Sequence, residues 1–330
     1  MRKIYERNPR LRRALFRAVL ILFAALFVVA AALFRGHVPQ SKIISAYTMS
    51  NRGPGEMRLH FLNVGQADCT VIEFPSGHVL VVDGGDGSFL NNLHLLRYIK
   101  GLGSPALTLV ATHADIDHCG GLAYLLKSFG AEQVYLPVIS GQTGVYRALI
   151  SEIERTNTPS TTLSRYCVMD DESGAYTLCL SPYSMGEENH NDASAVLFIR
   201  YAGVNVLLGA DISSKRENDL LEEFLALEEI FNVGEYTAPL RETDILKVSH
   251  HGSGSSSLQQ WLELLGVKTA ILSCGAGNSY GHPAEAAVSR LTLSGAELYR
   301  TDELGDITIT ISPDGAYRME WHRYSGAASL

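Results

Sequence analysis

An apolar strand that ends in a burst of metal-binding side chains constrains this chain more than any other stretch. Leu107–Thr112 runs without a break into His113-Ala114-Asp115-Ile116-Asp117-His118-Cys119-Gly120-Gly121. The two glycines let a helix start close against a sheet, so the motif sits at a strand-to-helix junction, where α/β architectures place their sites. In an extended segment His113 and Asp115 point the same way and one metal can take both. Asp117 and His118, where the chain turns, reach a second metal nearby. Taken singly, each residue has an ordinary reading: Asp117 as a helix N-cap, His113 as a satisfied loop histidine. Taken together, six consecutive residues of this content read as a metal site.

The surrounding pattern sets the fold class. Apolar runs bounded by turn residues at Met57–Leu62, Cys69–Glu73 and Val79–Asp83 read as strands joined by hairpins. A helix over Leu90–Lys100, a strand over Leu107–Thr112, a helix over Gly121–Phe129, a strand over Gln133–Leu136 and a helix over Val145–Thr156 follow. A second pass of strands begins at Tyr176–Leu180, Ser194–Tyr201 and Val204–Leu208, leading to a long amphipathic helix from Ser213 to about Phe231 and a strand over Asp244–Val248. Helix Leu258–Leu265, strand Thr269–Ser273, helix Ala284–Leu293 and strands Glu297–Tyr299, Asp306–Ile311 and Tyr317–Glu320 complete the chain. Two passes of strands followed by helices suggest two sheets face to face with helices outside, a four-layer α/β/β/α sandwich; periodicity alone supports α/β or α+β.

Further motifs stand in order around the first: Phe61-Leu62-Asn63-Val64-Gly65-Gln66-Ala67-Asp68, Val81-Val82-Asp83-Gly84-Gly85, Asn191-Asp192-Ala193-Ser194, Leu207-Leu208-Gly209-Ala210-Asp211, Val248-Ser249-His250-His251-Gly252-Ser253 and Tyr280-Gly281-His282-Pro283. With the His113–His118 segment, this set resembles the metallo-β-lactamase fold hydrolases, whose signature is His-x-His-x-Asp-His after a strand. Asp115 stands at the second His, a departure shared with the C-terminal hydrolase domain of the ComEC family of DNA-uptake competence proteins. The resemblance covers residues 57 to about 322 and implies an α+β, four-layer α/β/β/α hydrolase domain.

It also implies a ligand set of His113, Asp115, Asp117, His118, Asp211 and His251 for two divalent ions, Zn²⁺ or Mn²⁺, with Asp211 bridging them. Exchange of an imidazole for Asp115 makes the site harder and shifts its preference towards Mn²⁺. Read from residue type alone, Asp211 is equally an N-cap for the helix after it. Adjacent strand residues face opposite ways, so at most one of His250 and His251 is expected at the metal and the other touches substrate or orients a ligand; position before Gly252 favours His251, with His250 a near-equal candidate. Asp117, His250 and His282 are the catalytic candidates, and Asn191 and Ser253 the substrate-binding ones. His190 reads as a solvent-facing loop residue and Cys119 as a small buried one. No nucleotide cofactor is implied. The chemistry expected is hydrolysis of a phosphodiester, with DNA the substrate the resemblance suggests, through a hydroxide formed from metal-bound water of lowered pKa. Cell-wall phosphorylcholine or teichoic acid, small-molecule esters and lactams are the alternative substrates; a non-catalytic binding module is the reading from another class.

Charge divides the chain. The net charge of −8 conceals seven Lys/Arg against Glu6 alone in residues 1–17, so the other residues carry 20 basic and 34 acidic side chains. Such an acidic body is poorly suited to non-specific binding of a polyanion. Ala18–Phe34 has no polar side chain, and a basic tail before such a run predicts a single-pass anchor over 18–35 with the N-terminus cytoplasmic and the rest exported. A cleaved signal peptide, giving a secreted protein, is the rival reading. Residues 36–56 read as a linker, 57–322 as the hydrolase domain and 323–330 as a tail. Among the five cysteines, Cys167 and Cys179 flank a polar turn, either as a disulfide or as two half-buried small residues.

Overall fold

Met57, Leu59 and Phe61 point to one side of the first strand and join an apolar core, while Arg58 and His60 lie buried on the other. That alternation needs cover on both faces of the sheet. The computed structural model, which describes residues 52–323 apart from 104, 183–188 and 228–229, supplies it with a second sheet and flanking helices. The basic tail, the apolar run 18–35, the linker up to residue 51 and the C-terminal residues from 324 lie outside the described residues. Among the described residues no helix is long and apolar enough to cross a membrane.

The first sheet has eight strands: β1 (Met57–Phe61), β2 (Thr70–Glu73), β3 (Val79–Val82), β4 (Leu107–Val110), β5 (Gln133–Leu136), β6 (Ser160–Thr162), β16 (Asp306–Ile311) and β17 (Tyr317–His322), in the order β17-β16-β1-β2-β3-β4-β5-β6. β3 to β6 are mutually parallel and the others antiparallel. The second sheet has seven: β7 (Val168–Asp170), β8 (Tyr176–Cys179), β9 (Leu197–Tyr201), β10 (Val204–Leu208), β13 (Ile245–Lys247), β14 (Thr269–Leu272) and β15 (Glu297–Arg300), ordered β15-β14-β13-β10-β9-β8-β7. The final hairpin, β16 and β17, returns to the first sheet beside β1.

Leu59, Ile72, Leu80 and Val82 of one sheet meet Leu197, Ile199, Val206 and Ile245 of the other in the central core. The intervening residues Phe198, Leu207, Leu246 and Ala270 face outwards onto Leu220, Phe224, Trp261, Leu262 and Leu291 of the helices α5 (Ser214–Ala226), α6 (Gln259–Leu265) and α7 (Glu285–Leu293). The helices α1 (Phe89–Gly101), α3 (Leu122–Phe129) and α4 (Gly144–Thr156) bury leucines and isoleucines of their own. The result is the four-layer α/β/β/α sandwich. Truncating a fully buried aromatic such as Phe198 to alanine would cost roughly 3–5 kcal/mol.

The helix expected over Ser213–Phe231 stops at Ala226. Phe231 instead opens β11 (Phe231–Val233), paired with β12 (Tyr236–Ala238), and packs its ring 5.7 Å from Phe224. The apolar periodicity continues past the helix because the ribbon buries its first residue against the same core. All five cysteines are free thiols. Cys167 and Cys179 do meet across their hairpin, the Cys179 N–H donating to the Cys167 carbonyl at 3.0 Å, while the Cys179 thiol donates to the Ser181 carbonyl.

Candidate metal centre

The chain leaves β4 at Val110 and buries Thr112 and His113 before Asp115 takes the N-cap position of a one-turn helix, α2 (Ile116–Cys119). Asp115 makes no capping bond, and its carboxylate comes within 3.8 Å of His113 Nε2. The turn thus brings these two side chains together. A Cβ on Gly120 would lie 2.3 Å from the Asp86 carbonyl carbon, and one on Gly121 2.2 Å from the Gly84 oxygen. Only glycines allow the loop after β3 to press this closely, and the Gly84 N–H donates to the His118 carbonyl at 2.6 Å.

That loop carries Asp83, whose position beneath the motif is evident only in three dimensions. Held at φ +60°, Asp83 is 2% exposed. Its Oδ2 accepts from His118 Nδ1 at 2.8 Å and from the Thr112 hydroxyl at 2.7 Å, and its Oδ1 accepts the Thr112 N–H. Since the Thr112 hydroxyl donates to Asp83, it accepts from His113 Nδ1, 3.1 Å away. Both imidazoles are thereby fixed with the proton on Nδ1 and Nε2 turned inwards. The rings lie 4.0 Å apart and do not both carry charge: burial and the charge on His118 push His113 down to about 3. Burial would lower His118 as well, but Asp211 and Asp83 outweigh it and hold it well above the usual histidine range.

The second sheet supplies the opposite wall. After β10, Ala210 takes φ +45° and turns Asp211 inwards, to 3.3 Å from His118 Nε2 and 3.7 Å from both His250 and His251 Nε2. Asp211 is not an N-cap; Ser213 fills that role, accepting from Lys215 N–H. Beyond β13, which ends at Lys247, the turn Ser249–Gly252 places both His250 and His251 in left-handed backbone. Strand alternation therefore does not separate the two rings, and both approach Asp211. His251 is buried, its Nδ1 donating to the Ser273 carbonyl at 3.1 Å and its Nε2 3.5 Å from Asp117 Oδ2. His250 is half-buried beside the Asn191 amide, 3.4 Å away, and its ring centroid is 5.7 Å from that of His282.

Asp68 also enters the cluster. It pairs with the buried Lys247 and approaches His251 Nδ1 at 3.3 Å. Burial opposes its ionisation, yet Lys247 and His251 hold it well below the usual carboxylate range. Asp68, His118, Asp211 and His251, all buried, bring one ligand atom each within 4.8 Å of the others. Asp117 and His113 adjoin this group, and Asp115 stands half-buried at its rim.

The donor set fits divalent metal on a direct observation. His113 Nε2, His118 Nε2, His251 Nε2, Asp211 Oδ1 and Asp68 Oδ1 are all buried and lack a hydrogen-bond partner. Buried polar atoms without partners are costly, and a cation satisfies them at one stroke. The remaining candidates fall at the margin. His282 Nδ1 contacts the Gln66 amide at 3.3 Å, and Ser253 shares its hydroxyl with Ser255 at 2.9 Å. His190 is exposed; Cys119 is buried, and burial followed by Asp83 pushes its thiol up to about 12.

The chain is 25% identical to ComE operon protein 3 of Bacillus subtilis over 268 residues, covering 76% of this chain and 33% of that protein. It is 24% identical to Recombination protein 2 of Haemophilus influenzae over 259 residues, covering 77% of this chain and 29% of that one. The chain thus spans about a third of the length of these relatives. The metallo-β-lactamase fold protein YhfI of Bacillus subtilis aligns over 80% of this chain and 100% of its own, at 13% identity and a TM-score of 0.46. The model of one family matches residues 62–276, from the loop bearing Asp68 to the loop beyond β14, and by that match the chain belongs to the metallo-beta-lactamase superfamily.

Proposed function

We propose that this chain is a metal-dependent phosphodiester hydrolase acting on DNA or a related diester, anchored in the membrane through residues 18–35 with its N-terminus cytoplasmic and the hydrolase domain outside. The observation that carries the reading is a group of three imidazoles, each with Nδ1 engaged and Nε2 buried and unpaired: His118 and His251 approach Asp211 within 3.7 Å, and the His113 ring lies 4.0 Å from that of His118. The name of the Haemophilus influenzae relative, Recombination protein 2, favours DNA among diesters. The uninterrupted apolar run behind a basic tail supports the anchor.

His113, Asp115 and Asp211 would hold one ion, and Asp68, Asp117, His118, Asp211 and His251 a second, Zn²⁺ or Mn²⁺. Bound there, such ions would supply a water of lowered pKa and offset the negative charge on the phosphate oxygens. His250, half-buried and 3.7 Å from Asp211, is placed to pass a proton to the leaving oxygen. Burial and the charge of His250 lower the pKa of His282, which keeps that ring neutral to accept a hydrogen bond or a proton on the substrate side. Asn191 offers its amide beside His250, and Ser253 its hydroxyl next to the turn. Asp117, adjoining His251, orients the attacking water.

Metal analysis and an assay with bis-p-nitrophenyl phosphate test the reading together. The purified protein is expected to hold one to two Mn or Zn per chain and to turn the diester over, and His118→Ala should lose both. Absence of turnover of any diester in the presence of Mn²⁺ and Zn²⁺ would reject it.

A further inference from the structure

Tyr280 is 73% exposed, yet it is not on a loose loop. The Asn278 side chain accepts from the N–H groups of Tyr280 and His282 and donates to the carbonyls of Gly275 and His282, so both ends of that amide hold the turn. The Tyr280 ring stacks on that of His282, centroids 5.9 Å apart at 29°, while most of the residue is open to solvent. From His282 the rings lead inwards: His250 lies 5.7 Å away, edge-on, and His250 Nε2 is 3.7 Å from Asp211. An aromatic ring thus stands on a backbone turn tied by Asn278, and two imidazoles join it to the cluster.

The same region is poor in cations. The loops that carry the site, residues 62–69, 83–88, 111–121, 189–196, 209–213, 248–257 and 273–284, contain no Lys or Arg. Of the cations next to them, Lys247 is buried and paired with Asp68, and Arg290 donates to the carbonyls of Gly254, Ser256 and Ser257. A single strand carries the same phosphates as a duplex, so the shortage of cations weakens phosphate-held binding of either and leaves base stacking as the contact these loops offer. A planar ring stacks on an aromatic face whatever its identity, and in a duplex both faces of each internal base are already covered.

We propose that Tyr280, backed by His282, is a stacking platform for an unpaired nucleobase next to the scissile phosphate, so that the substrate is single-stranded nucleic acid. This rests on the diesterase reading above and adds the feature that selects the strand. It is tested with the full-length protein in detergent with Mn²⁺, comparing wild type, Tyr280→Ala and Tyr280→Trp on a thymidine oligomer, an abasic oligomer of equal length and a duplex. Tyr280→Ala should raise KM for the thymidine oligomer about 10-fold with kcat little changed, as expected for loss of one base–aromatic stack. The abasic oligomer should show no difference between variants, Tyr280→Trp should restore the wild-type KM, and the duplex should be the poorest substrate. Equal KM values for wild type and Tyr280→Ala on the thymidine oligomer, or a preference for duplex, would overturn the platform while leaving the diesterase reading intact. Failure to cleave bis-p-nitrophenyl phosphate as well as every oligomer would overturn both.

Discussion

Asp83 Oδ2 accepts the Nδ1 proton of His118 at 2.8 Å, across 35 residues of sequence. The same oxygen accepts the Thr112 hydroxyl, which in turn takes the Nδ1 proton of His113. One carboxylate thus orients two imidazoles whose Nε2 atoms are buried and unpaired. Its own backbone is held in a left-handed conformation to do so.

Replacement of Asp83 by Asn should therefore weaken metal binding about 10–100-fold without unfolding the chain, because Asn tolerates the left-handed backbone but cannot match a carboxylate as acceptor. Competition against a chelator measures this. An affinity within twofold of wild type would show that the two rings hold their tautomers without Asp83.

The histidine pair after β13 separates metal binding from turnover. His251→Ala removes a buried ring from the ligand cluster and should empty the site. His250→Ala should keep its metal but lose roughly 10²–10⁴ in kcat, the usual contribution of a general acid. Metal content of the two variants beside their turnover decides the assignment; loss of metal in His250→Ala would reverse it.

Loading of the site should depend on pH. Burial would lower His251, but Asp68 and Asp211 raise it to about 10, and His118 is likewise held above its usual range. The metal-free protein therefore keeps protons on these rings at neutral pH, a stabilisation present in full below pH 6.5 and lost as pH rises through about 10. Metal must displace them, so affinity climbs with pH. Titration calorimetry at pH 7 in two buffers of different ionisation heat should show at least one proton released per chain; metal binding with no proton release would contradict the raised values.

Glu217 of α5 is fully buried and accepts the N–H groups of Ser257 and Leu258 at 2.7 and 2.8 Å, tying the serine-rich turn at the start of α6. Burial raises its pKa from 4.5 to about 7 against the pull of those bonds. A raised pKa stabilises the fold in full below pH 4.5, and that contribution fades as pH rises through about 7. Wild type should thus lose up to roughly 3 kcal/mol relative to Glu217→Gln between pH 5 and pH 8, read by denaturant unfolding of both proteins. Parallel pH profiles for the two would show that Glu217 stays ionised throughout.

Most of the strands and helices were legible from periodicity, because each buries one face or both against a neighbouring layer and the apolar spacing records it. Val204–Leu208 and Gln133–Leu136 have the bounds expected of them. The helix after Ser213 ran long on paper because Phe231 serves a different element while packing on the same core. In the site, the dense His113–His118 segment was visible as a local cluster. The roles of Asp68 and Asp83 were not, since an isolated aspartate after an apolar strand looks the same whether it caps a turn or backs a histidine.

Local chemistry alone therefore showed that a strand leads into a turn dense in metal-binding residue types, that an acidic body follows a basic, apolar leader, and that two passes of strands and helices build the fold. Three-dimensional packing settled how the ligands are held. Lys247 finds Asp68 across 179 residues, and Asp83 finds His118 because paired glycines let their loops touch. His250 and His251 both face Asp211 because their backbone turns left-handed after the strand has ended. Composition and spacing report how a segment meets its immediate neighbours; hydrogen-bond partners and backbone handedness at a turn depend on surfaces brought together from both sheets.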